Sequence, residues 1–127
     1  MPTSIRITAG EVELEAVLFD SDCARAVADL LPLSCPFSVW GDEFYFEVPL
    51  VKNRDETATT DVDVGTIAYW PVGRAVAIFF GPTPMSTGRR PVPADRLNII
   101  GRVLGDAVMF RRVKGADHIE MRKIGSE

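Results

Sequence analysis

The segment from Thr66 to Pro84 constrains the fold more than any other part of the chain. It predicts a short strand at Ile67 to Trp70, a tight turn at Pro71 to Gly73, and a second strand at Ala75 to Phe80 that is apolar on both faces. A run this short, flanked by glycines and prolines, favours a central strand over a helix. One of its faces is expected to fill the protein interior. The other must be covered by a helix, by a partner or by a ligand.

The remaining sequence shows short strand patterns separated by turn residues. Residues 5–8 and 11–19 alternate around Ala9-Gly10 and predict a half-buried hairpin. Ser21-Asp22 opens one short helix that Pro32 ends. Further strands are predicted at Phe37 to Leu50, Leu97 to Leu104, Val108 to Val113 and Ile119 to Ile124, with exposed loops at Lys52 to Asp63 and Met85 to Asp95. We therefore predict an all-β fold of about eight strands with one short helix, in a single domain that spans residues 1–127.

Charge and cysteine content bear on partners and location. The net charge is −4 and the pI about 5.0, whereas nucleic acid and anionic membranes both require a basic face. We therefore expect neither nucleic acid nor membrane as a partner. Cys23 and Cys35 are predicted to be small core residues in a reducing compartment. The N-terminus lacks a signal pattern, and cytoplasmic localisation is expected.

Motifs for metal, cofactor or covalent chemistry do not stand out in the sequence. The one histidine, His118, has no second histidine or cysteine nearby, which makes a poor metal site. A catalytic cysteine would need a histidine partner, and Asp61 and Asp63 lack the rest of a calcium loop. No phosphate or dinucleotide fingerprint is present. We therefore predict no metal and no cofactor.

A family resemblance is carried by the central string Gly65-x-Ile67-Ala68-Tyr69-Trp70-Pro71-x-Gly73-x-Ala75-x-x-Ile78-Phe79-Phe80-Gly81-Pro82-Thr83-Pro84. This string resembles the hallmark of a family of small bacterial and archaeal proteins described as cyclophilin-like, most of whose members lack an assigned function. Trp40 to Phe46, Asn98 to Val103 and Gly105-Asp106 are similar to the same pattern. The resemblance thus spans nearly the whole chain. It implies a closed, roughly eight-stranded antiparallel barrel of reduced cyclophilin type in a prokaryotic protein.

The resemblance leaves enzymatic activity open, because a fold alone fixes no activity. Cyclophilins isomerise X-Pro bonds, and their catalytic strand carries a Phe-His-Arg signature followed by a Gln-Gly-Gly-Asp stretch. Neither stretch is present in this chain. A prolyl isomerase of this sequence would therefore need a non-standard site, with an apolar pocket for the proline ring and a donor that is typically an arginine.

Aromatic side chains beside the central turn are the leading candidates for a ligand site. Tyr69 and Trp70 combine a ring with a polar handle, which suits a pocket rim. Arg74 follows the turn glycine and is either solvated or an anion or carbonyl clamp. Glu47 is a candidate acid or base, and Phe80 is an aromatic residue of the core or of the pocket. Asn98 and Arg102 lie four residues apart on a predicted strand, so we expect both side chains on the same face. The candidates are Glu47, Tyr69, Trp70, Arg74, Phe80, Asn98 and Arg102.

Three functions are compatible with these features. The leading hypothesis is a binding module that takes a small molecule or short peptide in an aromatic cleft near the Tyr69–Gly73 turn. The first alternative is a prolyl isomerase with a non-standard site, whose catalytic residues the sequence does not identify. The second alternative is a homo-oligomeric or enzyme-docking protein that uses an exposed apolar strand face.

Overall fold

In a computed structural model of the protein, which describes residues 1–124, these residues form a single sheet of nine antiparallel strands with two short helices. The strands are β1 Thr3–Ala9, β2 Val12–Leu18, β3 Leu33–Cys35, β4 Ser38–Val39, β5 Glu43–Glu47, β6 Thr66–Trp70, β7 Ala75–Phe79, β8 Asn98–Val103 and β9 Ile119–Lys123. The predicted all-β class is therefore confirmed. Across residues 1–124, no helix has the length and apolar character needed to cross a membrane.

The sheet is curled but open, and the prediction of a closed, eight-stranded barrel is wrong on this point. The strand order is β3-β9-β1-β2-β8-β6-β7-β5-β4, and within the described residues no ladder joins the edge strands β3 and β4. These edges are short and consecutive in the chain, separated only by Pro36 and Phe37. The sheet must therefore curl far enough to bring its edges close. Both edge strands are short, and Pro36 between them has no N–H to donate, so no hydrogen-bond ladder forms between β3 and β4.

The first hairpin and the first helix follow the sequence prediction. In β1 and β2 the apolar residues alternate into the core, as Ile5 and Ile7 do opposite Ala16 and Leu14. Helix α1, Asp22–Ala28, begins where the Ser21 side chain accepts a hydrogen bond from the backbone N–H of Ala24 at 3.2 Å. Its buried side packs against β2 and β8 and contributes Cys23, Ala24, Val27 and Ala28 to the hydrophobic core.

The segment Val108 to Val113, predicted as a strand, is instead part of a 3-10 helix at Ala107–Val113. The Asp106 side chain accepts a hydrogen bond from the backbone N–H of Val108 at 3.2 Å and caps it. Its buried residues, Ala107, Phe110 and Val113, recur every third position, which is the spacing that aligns side chains on one face of a 3-10 helix. Residues 1–124 therefore contain two helices, one more than predicted.

Strand β7 is buried on both faces, as its sequence predicts. Val76, Ile78 and Phe80 point into the main core inside the curl. On the opposite face, Ala77 and Phe79 belong to a second group, the outer cluster, which comprises Val62, Ala68, Ala77, Phe79 and Leu97. Val62 and Leu97 come from the two long loops, which a bridge between Thr59 and Leu97 holds together. The chain's own loops thus cover the second apolar face.

Candidate functional site

A cavity of about 220 Å³ lies on the outer face of the sheet, next to the outer cluster. Three aromatic side chains and one buried carboxyl group form its walls, together with a stretch of the second long loop. The lining residues are Trp40, Glu43, Tyr45, Trp70, Pro93, Ala94, Asp95 and Leu97. We call this the aromatic cavity.

Strand alternation explains why β5 presents Glu43 and Tyr45 to this cavity. Phe44 and Phe46 point into the main core, where Phe44 packs against Phe80 with ring centroids 4.7 Å apart. Their neighbours Glu43 and Tyr45 must then face outward. Across the sheet, Tyr45 is paired with Ala77, which is paired in turn with Ala68 of β6. Both alanines belong to the outer cluster, against which Tyr45 and Trp70 pack.

A tight turn before β5 brings Trp40 beside Glu43. The backbone N–H of Trp40 donates to the Glu43 carbonyl at 2.9 Å. Gly41 within this turn has a φ of 62°, and a Cβ there would lie only 2.8 Å from Cδ of Pro84. Glycine is therefore required by both the backbone conformation and the close contact. The turn fixes the Trp40 ring as one wall of the aromatic cavity.

Glu43 is the chemically distinctive residue of the cavity. Its side chain lies among the lining residues although the residue is only 8% exposed. The carboxyl group forms no hydrogen bond or ion pair with any other residue in the described range, and burial raises its pKa to about 8. At neutral pH the group is therefore mostly protonated, and it is available to a ligand as a hydrogen-bond donor or, once ionised, as a counter-charge.

Trp70 is fixed from two directions. Its Nε1–H donates to Oδ2 of Asp95 at 3.1 Å, while Arg54 holds both carboxylate oxygens of Asp95 at 2.7 and 2.9 Å. The Trp70 hydrogen bond, followed by the backbone N–H of Arg96 and by Arg54, holds the pKa of Asp95 below its ordinary value. On the other side the indole lies over Gly73, where a Cβ would be 2.2 Å from Cε3 of the ring. The indole wall is thus ordered before any ligand arrives.

A second, more open depression adjoins the aromatic cavity. Its volume is about 520 Å³. It shares Tyr45 and Trp70 with the cavity and also has Phe37, Glu47 and Gly73 in its lining. The Tyr45 and Trp70 rings meet edge to face, with centroids 6.4 Å apart and an angle of 87° between their planes. This ring pair lies between the aromatic cavity and the open depression.

Three of the sequence candidates lie in the interior and do not line the aromatic cavity. Tyr69 and Phe80 belong to the main core, and the Tyr69 hydroxyl donates to the Leu50 carbonyl. Asn98 is fully buried and holds the first long loop. Its amide oxygen accepts from the Asp55 backbone N–H at 2.9 Å, and its amide nitrogen donates to the Asn53 carbonyl at 3.0 Å.

Of the other four candidates, only Trp70 lines the cavity. Glu47 borders the open depression, and Arg74 is exposed at a φ of 52° in the turn after Gly73. Arg102 is exposed while Asn98 is buried, so the predicted shared face is wrong for this pair. The reason is a bulge: Ile67 pairs with Gly101 but Ala68 pairs with Ile99, so one extra residue reverses the alternation between the two positions.

Sequence reasoning missed Trp40, Glu43, Tyr45 and Asp95 as site residues. A signal was present for the β5 residues, since Glu43 and Tyr45 alternate with Phe44 and Phe46 and therefore share the face opposite the two phenylalanines. Asp95 gave no comparable signal, because a loop carboxylate has no periodicity. Within residues 1–124 no three His, Cys, Asp or Glu side chains are grouped in a way that would hold a metal ion.

Comparison with known proteins places this geometry in a family. The solution structure of the hypothetical protein AF2241 from Archaeoglobus fulgidus is similar at 30% identity and a TM-score of 0.79, over 95% of this chain and 94% of that one. The structure of McbB in complex with tryptophan is similar at 17% identity and a TM-score of 0.68. The match covers 97% of this chain but only 45% of McbB. A search of curated proteins found no significant match. The family model described as Cyclophilin-like matches residues 3–122, which confirms the resemblance predicted from the central motif, and the chain belongs to this Cyclophilin-like family.

Proposed function

We propose that the protein is a small-molecule binding module whose ligand occupies the aromatic cavity. The observation that carries this proposal is a preformed cavity that contains a buried carboxyl group, Glu43, with no partner among the described residues. Ligand sites are typically concave, lined by aromatic and apolar side chains, and marked by a few convergent polar groups. The cavity between Trp40, Tyr45 and Trp70 combines these properties.

The volume of the cavity sets the size of the ligand. About 220 Å³ is below the roughly 300–1,000 Å³ of sites that hold drug-sized molecules. We therefore expect a small ligand with a single ring or compact head group, or one side chain of a short peptide. The adjoining depression gives room for a ligand that continues beyond the Tyr45 and Trp70 rings.

The similarity to McbB supports the same class of function. At 17% identity this likeness carries the fold alone, yet that structure holds tryptophan, a small aromatic molecule. Tryptophan is a natural first probe for the aromatic cavity.

The protein carries its own reporter for this test. Trp40 and Trp70 are its only tryptophans, and both line the cavity. Indole fluorescence and the two indole N–H resonances therefore report directly on occupancy. We expect a screen of small aromatic and amine compounds to give hits that shift both resonances, and the Trp70→Ala variant to lose that binding.

A matched control is Val72→Ala, because Val72 lies in the same turn, is 68% exposed and does not line the cavity. This variant should bind like the parent. Hits that bind Trp70→Ala as tightly as the parent would overturn the proposed site, as would a screen in which neither indole resonance responds to any compound.

A second candidate is prolyl isomerisation at a non-standard site. An aromatic cavity beside an open depression suits a proline ring with flanking peptide. The cavity lining contains no arginine among the described residues, which weighs against efficient catalysis. We expect a proline-peptide assay to give the spontaneous rate. Acceleration that disappears in Trp70→Ala would instead favour the enzyme.

A further inference from the structure

The charges around the aromatic cavity are one-sided. Its ionisable lining side chains are Glu43, Asp95 and the phenol of Tyr45, and no lysine, arginine or histidine in the described range lines it. Asp95 already has Arg54 and the Trp70 indole as partners. Glu43 has no such partner, so it is the carboxyl group that a ligand would satisfy.

The aromatic walls favour the same ligand charge. Trp40, Tyr45 and Trp70 line the same cavity as Glu43, and aromatic rings attract cations, tryptophan most strongly. An anionic ligand would meet two carboxyl groups and no cationic side chain. A purely apolar ligand would leave the Glu43 carboxyl buried without a hydrogen bond, which is unfavourable. A compact cation satisfies both the rings and the carboxyl group.

We infer, building on the proposed function, that the ligand is a small organic cation, such as a substituted ammonium, seated among Trp40, Tyr45 and Trp70 with Glu43 as its counter-charge. The remaining competitor is a neutral ligand whose carbonyl accepts a hydrogen bond from the protonated Glu43. The two differ in charge and in what happens to the Glu43 proton, so experiment separates them.

A cationic ligand requires Glu43 to ionise. In the free protein the pKa of Glu43 is raised to about 8 by burial, so binding at neutral pH must release a proton. The strands that flank β5, β4 and β7, carry no titratable side chain. The titratable groups that share the cavity are Asp95, already ionised through its partners, and Tyr45. Apparent affinity should therefore rise about tenfold per pH unit below pH 8 and level off above it.

The test uses pairs of probes that differ only in charge. Choline and its uncharged carbon analogue 3,3-dimethylbutan-1-ol form one pair, and tetramethylammonium serves as the minimal cation. Binding is followed by indole fluorescence and by calorimetry in two buffers of different ionisation enthalpy, which counts released protons. We expect the cation to bind at least tenfold more tightly than its neutral analogue, with proton release at neutral pH.

Variants assign the effect to Glu43. Glu43→Gln has nearly the shape of the protonated acid and should remove the preference for the cation while it keeps weak binding of the neutral analogue. Glu11→Gln is the control for the same chemical change, since Glu11 is exposed in the turn between β1 and β2 and lines neither the aromatic cavity nor the open depression. This control should keep both the preference and the proton release.

The outcomes separate the two proposals. Equal or tighter binding of the neutral analogue, or cation binding without proton release from the parent protein, would overturn the cationic ligand and leave the cavity a binding site. Failure of the cations to bind, while other compounds shift the indole resonances, would do the same. Failure of every compound to reach the cavity would overturn the proposed function itself. Because proton release is measured on the parent protein, the test does not depend on the folding of a variant.

Discussion

Asp42 and Glu43 are neighbours in the chain and nearly equally buried, at 9% and 8% exposure, but their surroundings are opposite. Asp42 lies on the core side of the sheet edge, where Arg111 and Lys114 reach it at 2.6 and 2.8 Å. Burial alone would raise its pKa, but the hydrogen bonds from Lys114 and Arg111 outweigh burial and hold the pKa below its ordinary value. Glu43 faces the aromatic cavity without a partner in the described chain, and burial raises its pKa to about 8.

The difference shows that the start of β5 has two roles, one in holding the fold together and one in forming the cavity. The Asp42 side fastens the 3-10 helix to the start of β5, and its charges are satisfied within the protein. The Glu43 side leaves a carboxyl group without a partner among the described residues, and its burial disfavours the ionised form, as binding and catalytic sites often do. Two glycines lie against these regions, Gly81 against Asp42 and Gly73 against Trp70. They allow each side to be disturbed separately.

The largest expected effect is from Glu43→Gln at alkaline pH. Because the folded-state pKa of Glu43 is raised to about 8 from an ordinary value of 4.5, the parent protein loses stability as pH rises from about 4.5 to about 8. The variant does not ionise and escapes this loss. Its free energy of unfolding should exceed the parent's by on the order of 4 kcal/mol at about pH 9 and match it near pH 4. Urea unfolding at several pH values measures the difference, and a gain independent of pH would contradict the explanation.

The next effect is from Gly81→Ala, which disturbs the Asp42 side. A Cβ at this position would lie 2.2 Å from Oδ2 of Asp42 and 2.7 Å from the Arg111 guanidinium. Asp42 must therefore leave its partners or the backbone must move. We expect a loss of about 3 kcal/mol in unfolding free energy by chemical denaturation. Gly88→Ala is the control, because no atom beyond its two chain neighbours lies within 4 Å of a Cβ there. An unchanged stability for Gly81→Ala would mean that the Asp42 pairing does not anchor the helix.

Asp42→Asn removes the charge with little change in shape. Since the pKa of Asp42 is lowered in the folded protein, its carboxylate stabilises the fold above the ordinary aspartate range, and this stabilisation is lost as pH falls through the folded-state pKa. We expect a loss of about 2 kcal/mol at neutral pH, a moderate value because Arg111 and Lys114 are half-exposed. The gap between variant and parent should close in acid. Thermal unfolding over a pH series measures it, and a gap that persists at low pH would point to lost packing instead.

The smallest effect on stability is expected from Gly73→Ala, the counterpart on the cavity side. A Cβ at this position would meet the Trp70 ring at 2.2 Å, so the half-buried ring must turn away and its hydrogen bond to Asp95 weakens. We expect a loss of about 1 kcal/mol in unfolding free energy together with a clear shift of the Trp70 indole resonance. Ligand hits should bind more weakly while the Trp40 resonance of the free protein stays in place. Unchanged affinity would show that the Trp70 wall contributes little to binding.

The strand pattern was predictable to the extent that local forces control it. Alternation defined the β1–β2 hairpin, the Ser21 cap began α1, and the doubly apolar run at Ala75 to Phe80 marked a buried strand. The 3-10 helix was not predicted. Its apolar residues at Ala107, Phe110 and Val113 are compatible with several local structures, and packing against the core decides among them. The bulge opposite Ile67 likewise has no local signature, yet it reverses the orientation of Asn98 relative to Arg102.

The sequence by itself determined the all-β class, the membership in the Cyclophilin-like family and the central position of β7, because periodicity, turn residues and a long specific motif are local properties of the chain. Only the tertiary structure decided that the sheet stays open, that the loops around Val62 and Leu97 cover the outer face of β7, and that Glu43 is buried among Trp40, Tyr45 and Trp70. These residues meet through strand pairing and loop closure over long sequence separations. A carboxyl group acquires its unusual pKa from what surrounds it in space, and the sequence does not show those surroundings.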